Sequence, residues 1–484
     1  MKEKFKNFFA NSRLRHGTIA SVITIVVIIS VILLNVGMKA LSDKVKLSFD
    51  LTKNKAFTIT DISKDYLSSL EKDVDITVTA KEDDFISYGD YFIQANEVLK
   101  QYARETDKIH LKYIDITENP TYFSSYSTDE MDKYSIVISC GDNYVVLQPE
   151  DIFNVESSYY SGSRTIVSSK AEQEMTSAIL NVSTDNKQKI SLLTGYDEES
   201  SSYFVDLLEK NNYEVKTQSL LTDDIDSDSV MAIIFAPKRD LDPSAVEKIN
   251  SYLDNNGQHG KNLFYIPNLD LNTAPNLDAF LDEYGISVGD GIVYESDKSY
   301  LMGVNNPFYT ICDYVDSSFT ENLNTSSIPV SLPYCRPLES KDAENVSTLL
   351  QFSASSCVLP SNADENWKPQ DSTRNGPIPG MLLSRINYDT SQSGTNVVVC
   401  GSVIGFDYQL LSQNALNNSS YILNLVNTLN HNDNGVIIEA KTVNEQALNI
   451  TAAQAITIGL ILTIALPVAV AIVGIVVCLK RRRK

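Results

Sequence analysis

The sequence predicts an α/β protein: an external body with a doubly wound sheet and a smaller α/β domain before it, flanked by two transmembrane helices. Three observations lead there. From Lys189 onward, short apolar strands alternate with amphipathic helices, the pattern of a largely parallel sheet covered on both faces. Before Lys189, strand and helix signals follow the order β-α-β-β-β. An uncharged apolar run stands near each end of the chain, at residues 18–38 and 455–479.

A helix of about 20 apolar residues crosses a bilayer core, so both runs are long enough. Lys2, Lys4, Lys6, Arg13 and Arg15 precede the first, and Lys480, Arg481, Arg482, Arg483 and Lys484 follow the second. Basic flanks stay in the cytoplasm. Both tails, 1–17 and 480–484, are therefore expected inside a plasma membrane, with the body between the spans outside. A secretory signal has an apolar core of about 7–15 residues and a small-x-small cleavage site. The first run is longer and lacks a clear site, so an uncleaved anchor is expected. Pro467 removes a backbone donor near the middle of the second run. Ala465, Ala469, Ala471 and Gly474 recur there at helical spacing, a candidate face for packing on another membrane helix.

The tails hold 10 of the 40 basic residues and one of the 62 acidic ones. The remainder carries 30 basic against 61 acidic residues, a net charge of −31. Such a surface repels nucleic acid and anionic headgroups. Six cysteines in 484 residues, without a CxxC, form neither a disulfide framework nor a zinc site. Cys140 and Cys400 end strand-like runs and read as small buried hydrophobes. Cys312, Cys335 and Cys357 allow one disulfide at most.

In the first external domain, 44–167, VDITVTA (74–80) alternates apolar and polar residues as a half-buried strand does. Tyr91, Ile93, Val98, Leu99 and Tyr102 recur near helical spacing. HLKYIDI (110–116) is a second strand. SIVISC and YVVLQ flank Gly141-Asp142-Asn143 and read as a hairpin. The order suits a thioredoxin-like layer without the CxxC that redox chemistry needs. Residues 171–186 read as a linker helix. A second domain, 187–447, follows. KISLLTG, YEVKTQSL, VMAIIFAP and KNLFYIP are its first strands. Phe204, Leu207 and Leu208 share one face of the helix between the first two. Asp242 caps a further helix and Pro243 suits its first position. That helix runs through Val246, Ile249 and Leu253. A helix over 277–284 ends at Gly285. Between about 291 and 380, helices give way to an irregular, strand-rich insertion holding the only tryptophan, Trp367. MLLSRINY (381–388) and NVVVCGS (396–402) return to strand character. A helix over 421–429 and a last strand, VIIEAK (436–441), complete the body.

The chemistry is sparse. His16, His110, His259 and His431 show no metal spacing, and no GxxxxGK[ST] phosphate loop occurs. In Gly401-Ser402-Val403-Ile404-Gly405 the serine stands one position early for a nucleophile elbow. No catalytic, cofactor-binding or metal-ligating residue is expected, and the chain reads as a non-enzyme. Open α/β sheets bind ligands beyond the carboxyl ends of their strands, where strand order switches. Those ends carry Thr194, Gly195, Tyr196, Asp197 and Glu198 on one strand and Ala236, Pro237 and Lys238 on another. They form a candidate cleft or partner contact with no nucleophile–base pair.

Four phrases, in this order between two spans, resemble the GldG-type auxiliary component of ABC transporters, a family associated with gliding motility in some bacteria. Asp50-Leu51-Thr52-Lys53-Asn54-Lys55-Ala56-Phe57-Thr58-Ile59 resembles the family's phrase after the first span. Asp115 and Asn119-Pro120 partly match a second phrase. Leu193-Thr194-Gly195-Tyr196-Asp197-Glu198 resembles the family's L-T-G-H-G-E strand end, with Tyr196 and Asp197 in place of His and Gly. Residues 241–256 resemble a family helix. The resemblance implies a flavodoxin-like sheet similar in fold to class I glutamine amidotransferases. It also implies a non-catalytic subunit beside a separate permease and ATPase in a bacterial envelope. Two alternatives stand beside it. One is a free-standing wall- or glycan-binding ectodomain, compatible with sugar stacking on its 25 tyrosines. The other is a degenerate amidotransferase-like hydrolase without its Cys-His pair.

Overall fold

Val74, Ile76 and Val78 lie on one face of β1 (Val74–Val78), and all three are fully buried. Period-two alternation dictates this, because successive side chains of a strand point to opposite faces. β1 pairs in parallel with β2 (Ile109–Tyr113) and antiparallel with β3 (Ile136–Cys140). β3 turns through Gly141-Asp142 into β4 (Asn143–Leu147), with Cys140 opposite Asn143. Gly141, at φ 60°, supplies the left-handed conformation that a two-residue hairpin turn requires. The sheet order is β2-β1-β3-β4.

The structure is a computed structural model. It describes residues 50–443 apart from 51, 53–54, 127–130, 158–163, 272, 303–305, 343, 388–393, 414, 433–434 and 436. The runs at 18–38 and 455–479, with Ala465, Ala469, Ala471 and Gly474, lie outside the described residues. Among the described residues, no helix is long and apolar enough to cross a membrane. Residues up to Thr58 belong to one unit and those from Ile59 to another. In the first unit, the Asp50 carboxylate folds the phrase around itself. It accepts from the Thr52 amide (2.9 Å) and hydroxyl (2.6 Å), the Phe57 amide (2.8 Å) and the Thr58 hydroxyl (3.1 Å). Burial pushes its pKa up, but these hydrogen bonds outweigh burial and hold it below the ordinary value.

In the second unit, α1 (Asp61–Ser69), α2 (Glu82–Ile86) and α3 (Asp90–Glu105) belong to the first layer, followed by α4 (Pro149–Ile152) and the hairpin β5 (Phe153–Ser157) and β6 (Arg164–Ser169). α3 buries Tyr91, Ala95, Val98, Leu99 and Tyr102 against the sheet. Ile93, expected on that face, is 41% exposed. It sits two residues from Tyr91, on the opposite side of a 3.6-residue turn. α5 (Ala171–Ser183) is more than the expected linker. Ala171, Met175, Ala178, Ile179 and Val182 recur every three or four residues and enter the same core.

The second layer starts with β7 (Gln188–Thr194), α6 (Ser202–Lys210), β8 (Tyr213–Ser219), β9 (Met231–Phe235), α7 (Pro243–Asp254), β10 (Asn262–Ile266) and α8 (Pro275–Glu283). Asp242 caps α7, its Oδ1 accepting from the Ser244 and Ala245 amides at 3.0 Å each. Gly285 follows α8 at φ 70°. Short strands come next: β11 (Ile286–Val288), β12 (Ile292–Glu295), β13 (Ile311–Tyr314), β14 (Val330–Ser331), β15 (Leu338–Ser340), β16 (Val346–Gln351) and β17 (Ser356–Leu359). β18 (Pro379–Asn387), β19 (Gly394–Cys400), α9 (Tyr408–Leu411) and α10 (Asn418–Leu429) complete the layer.

Nine strands join in the order β14-β13-β16-β18-β19-β10-β9-β7-β8. From β19 to β8 all neighbours are parallel, and from β19 to β14 all are antiparallel. The insertion expected at 291–380 is thus partly main sheet, because β13, β14 and β16 extend its antiparallel half. α6 and α10 cover one face, and α7 and α8 the other. On the first face Phe204, Phe235, Phe264 and Phe406 form an aromatic cluster, with Phe204 and Phe406 centroids 4.8 Å apart. Each such fully buried side chain contributes about 1.5–3 kcal/mol relative to exposure. The protein is a mixed α/β fold with several sheets. The last expected strand does not form. Residues 437–440 have no strand pairing, and Lys441 makes a single antiparallel bridge to Ser169.

Candidate functional site

β7 and β9 are parallel neighbours, while β8 and β10 leave them to opposite sides. Their carboxyl-terminal loops therefore meet where strand order switches. The structure brings the two expected segments together. The Lys238 amide donates to the Tyr196 carbonyl (3.0 Å) and the Glu199 amide to the Ala236 carbonyl (3.2 Å). Their polar atoms are consumed locally. The Glu198 carboxylate accepts from the Gly195 and Tyr196 amides at 3.2 and 2.8 Å. Arg239 donates to Asp197 (2.7 Å) and to the Gly195 carbonyl (2.9 Å), and Lys238 pairs with Glu199 at 3.0 Å. The Tyr196 hydroxyl donates to Asp242 at 2.7 Å. Burial pushes the Tyr196 phenol up to about 12.

The backbone here is tight. Gly195 has φ 124°, and a Cβ there would stand 2.9 Å from Leu221 Cγ. Asp197 and Ala236 also have positive φ, 56° and 48°. A strained residue just past a strand is where α/β-hydrolases hold their nucleophile. Here that position carries a methyl group. Thr194 ends β7, its hydroxyl donating to the Gln218 carbonyl at 3.3 Å. Pro237 offers no donor. Ser402 is fully buried, donating to the Pro333 carbonyl and accepting from the Gly405 amide at 3.1 Å. Burial raises the thiols of Cys312, Cys335 and Cys400, the last to about 12, so all three stay protonated at neutral pH. The five described cysteines are free.

A concavity lies elsewhere. A cleft of about 670 Å³ opens between the two layers, within the range of ligand sites. α5 and the end of β6 form one side, and α6, α9 and α10 the other, while residues 437–442 close a third. Leu207, Leu411 and Leu423 give it an apolar floor. Tyr203 and Tyr408 stand at the cleft, 51% and 58% exposed, with ring centroids 5.4 Å apart. Lys210 bridges Asp151 (3.4 Å) and Asp206 (3.2 Å). Burial raises the Glu174 pKa although Lys170 and Lys210 pull it down.

Beside the cleft lies the most heavily bonded carboxylate of this region. Glu172 Oε1 accepts from the Thr60 amide (2.5 Å), the Thr60 hydroxyl (2.7 Å) and the Ser63 hydroxyl (2.7 Å). Its Oε2 accepts from Lys441 Nζ at 2.6 Å. Sequence reasoning missed both partners. A signal was present: Glu172 lies one turn from Thr176 and two from Ile179, on the buried side of α5.

The family described as Domain of unknown function (DUF7088) matches residues 53–190. The chain matches no curated protein. Among solved structures it is similar to the mmIFT52 N-terminal domain, at 15% identity and TM-score 0.39, over 51% of this chain and 99% of that one. It is similar to PurLQS from Thermotoga maritima at 16% identity and TM-score 0.30, over 50% and 100%. It is also similar to a putative GMP synthase protein from Thermoplasma acidophilum at 10% identity and TM-score 0.28, over 51% and 96%.

Proposed function

We propose that the protein is a non-catalytic, membrane-anchored auxiliary subunit of an ABC-type transport system, working beside separate permease and ATPase subunits. Its body stands outside the plasma membrane, both termini are cytoplasmic, and it takes part in binding a substrate or partner. One observation carries the reading. Thr60, near the start of the body, and Lys441, near its end, meet on the single carboxylate Glu172. A body hung between two neighbouring membrane helices needs its two ends side by side. The strand-end loops support the non-catalytic part, since their polar groups are tied to one another and Ala236 occupies the strained position. The order β2-β1-β3-β4 supports a thioredoxin-like first layer. The five-stranded parallel half with helices on both faces supports a flavodoxin-like, amidotransferase-like second layer.

The test is a pull-down of the full-length protein from detergent-solubilised membranes. A multi-span permease and an ATPase should follow it. Topology is tested with engineered cysteines at Asn54, Asn434 and Lys484 in intact cells. An impermeant reagent should label the first two, and labelling at Lys484 would refute the arrangement.

The exposed Tyr203–Tyr408 pair favours one second reading, a glycan-binding ectodomain, because paired rings on a polar-rimmed cleft can stack on sugar faces. Titration with chitotetraose separates the two. Binding lost in Tyr408→Ala, without a co-purifying permease, would replace the first reading.

A further inference from the structure

Residues 437–442 leave the second layer and run back across the junction with the first. Ile437, Ile438, Glu439, Ala440 and Thr442 form one wall of the cleft. The attachments of this stretch to the first layer fall within two turns of chain. The Ile438 amide donates to Gln173 Oε1 at 2.5 Å. Lys441 and Ser169 exchange two backbone hydrogen bonds, at 2.7 and 2.8 Å. Lys441 Nζ then reaches Glu172 at 2.6 Å. Residues 437–440 make no strand ladder, so peeling the stretch away breaks few backbone bonds.

We propose that residues 437–442 are a strap that closes the cleft, and that the Lys441–Glu172 pair is its latch. Two physical features make the strap bistable. A buried ion pair gives up the hydration of both ions, so the open state, in which Lys441 returns to water, competes with the closed one. Glu172 is not stranded on opening, because Thr60 and Ser63 still donate three hydrogen bonds to Oε1. The strap also leads toward the apolar run that begins at residue 455. Under the two-span reading, chain connectivity ties that run to the strap, with twelve residues between residue 442 and residue 455. This last step rests on the two-span reading above, but the latch itself does not.

The test uses the full-length protein in detergent. Ser420 is half-buried and lines the cleft, so Ser420→Cys reports access through its rate of maleimide labelling. Hydrogen exchange of residues 437–443 reports the strap. In Lys441→Met, the strap amides should exchange about tenfold faster or more, as a locally opened segment does. Ser420→Cys should label faster by a similar factor, while β7 and β9 exchange at the wild-type rate. If Lys441→Met does not fold, Glu172→Gln/Lys441→Met carries the test, because it removes both charges and leaves neither ion buried alone. Wild-type labelling and exchange in the double variant would overturn the latch. Equal acceleration in β9 would also overturn it, since the pair would then hold the whole fold rather than the strap. Absence of a permease from the pull-down leaves both measurements unaffected, so the two proposals fail separately.

Discussion

Two acid–base pairs in this molecule have nearly the same length and opposite surroundings. Arg239 and Asp197 meet at 2.7 Å with side chains 56% and 68% exposed. Lys441 and Glu172 meet at 2.6 Å with side chains 9% and 3% exposed. The first joins neighbouring loops in water and is screened by it. The second joins segments 269 residues apart in the interior. Distance does not separate a decorative contact from a structural one, but burial does. The lesson also redirects attention from the strand ends, where fold logic points, to the junction of the layers.

The comparison breaks most sharply at Lys441. Lys441→Met removes the cation, but Glu172 keeps its three hydrogen bonds from Thr60 and Ser63, so the loss should fall on the strap and stay below the roughly 3–5 kcal/mol of an uncompensated buried charge. Hydrogen exchange of residues 437–443 measures it, and denaturant unfolding followed through the single tryptophan should shift by no more than about 1–2 kcal/mol. Glu172→Gln/Lys441→Met should bring global stability back toward wild type, because removing both charges removes the desolvation cost as well, while its unlatched strap still exchanges faster than the wild-type one. A double variant as unstable as the single one would mean that packing, not charge, dominates.

Acid should sharpen the comparison at the loop site. Hydrogen bonds from Ser244, Tyr196 and Ala245 depress Asp242 from 3.8 to about 2 in the folded protein. A depressed carboxyl stabilises the fold fully above its unfolded value, and the contribution is lost as pH falls through the folded value. The unfolding midpoint should therefore drop between pH 3.8 and about 2. Asp242→Asn keeps a cap but cannot titrate, so its profile should be flatter across that window. The smallest effect is expected at the exposed pair. Arg239→Ala should change stability by no more than about 0.5–1 kcal/mol, and less still in high salt. A larger loss would show that the Gly195 carbonyl, not Asp197, is the partner that matters.

How far the sequence revealed this architecture depends on how local the signals are. β9 and β10 are near-continuous apolar runs buried along their whole length, and composition alone marks them, while β7 is apolar and buried over its centre. The cap at Asp242 and the turn at Gly141-Asp142 are equally local. The antiparallel half of the nine-stranded sheet is different. β13 and β14 are four and two residues long, too short to show a period. The β16–β18 register also shifts between Thr348 and Gln351, which breaks the alternation. VIIEAK failed as a strand because its neighbour is another layer, reached at one residue. The strand-end loops came together as fold logic expects, since strand adjacency fixes loop adjacency. What they hold, a mutual hydrogen-bond network around positive-φ residues, depends on side chains from six loop positions and on Asp242, the cap of α7. The Glu172 cluster was hidden for a further reason: its donors come from residues 60, 63 and 441, and no window of sequence contains all three.

That separation also has a meaning in time. Glu172 leaves the ribosome 269 residues before Lys441. At about 5–20 residues per second, the carboxylate waits roughly 13–54 s with only Thr60 and Ser63 as partners. Those hydroxyls precede it in the chain and are already present when α5 forms. The first layer can therefore assemble its own core around α5 while the second is still being made, before Lys210, Ile438 and Lys441 arrive to bond Asp151, Gln173, Ser169 and Glu172. The ion pair can form only after residue 441 has been made. A protein truncated between residues 184 and 436 would carry its first layer with the strap missing and the cleft unwalled on that side.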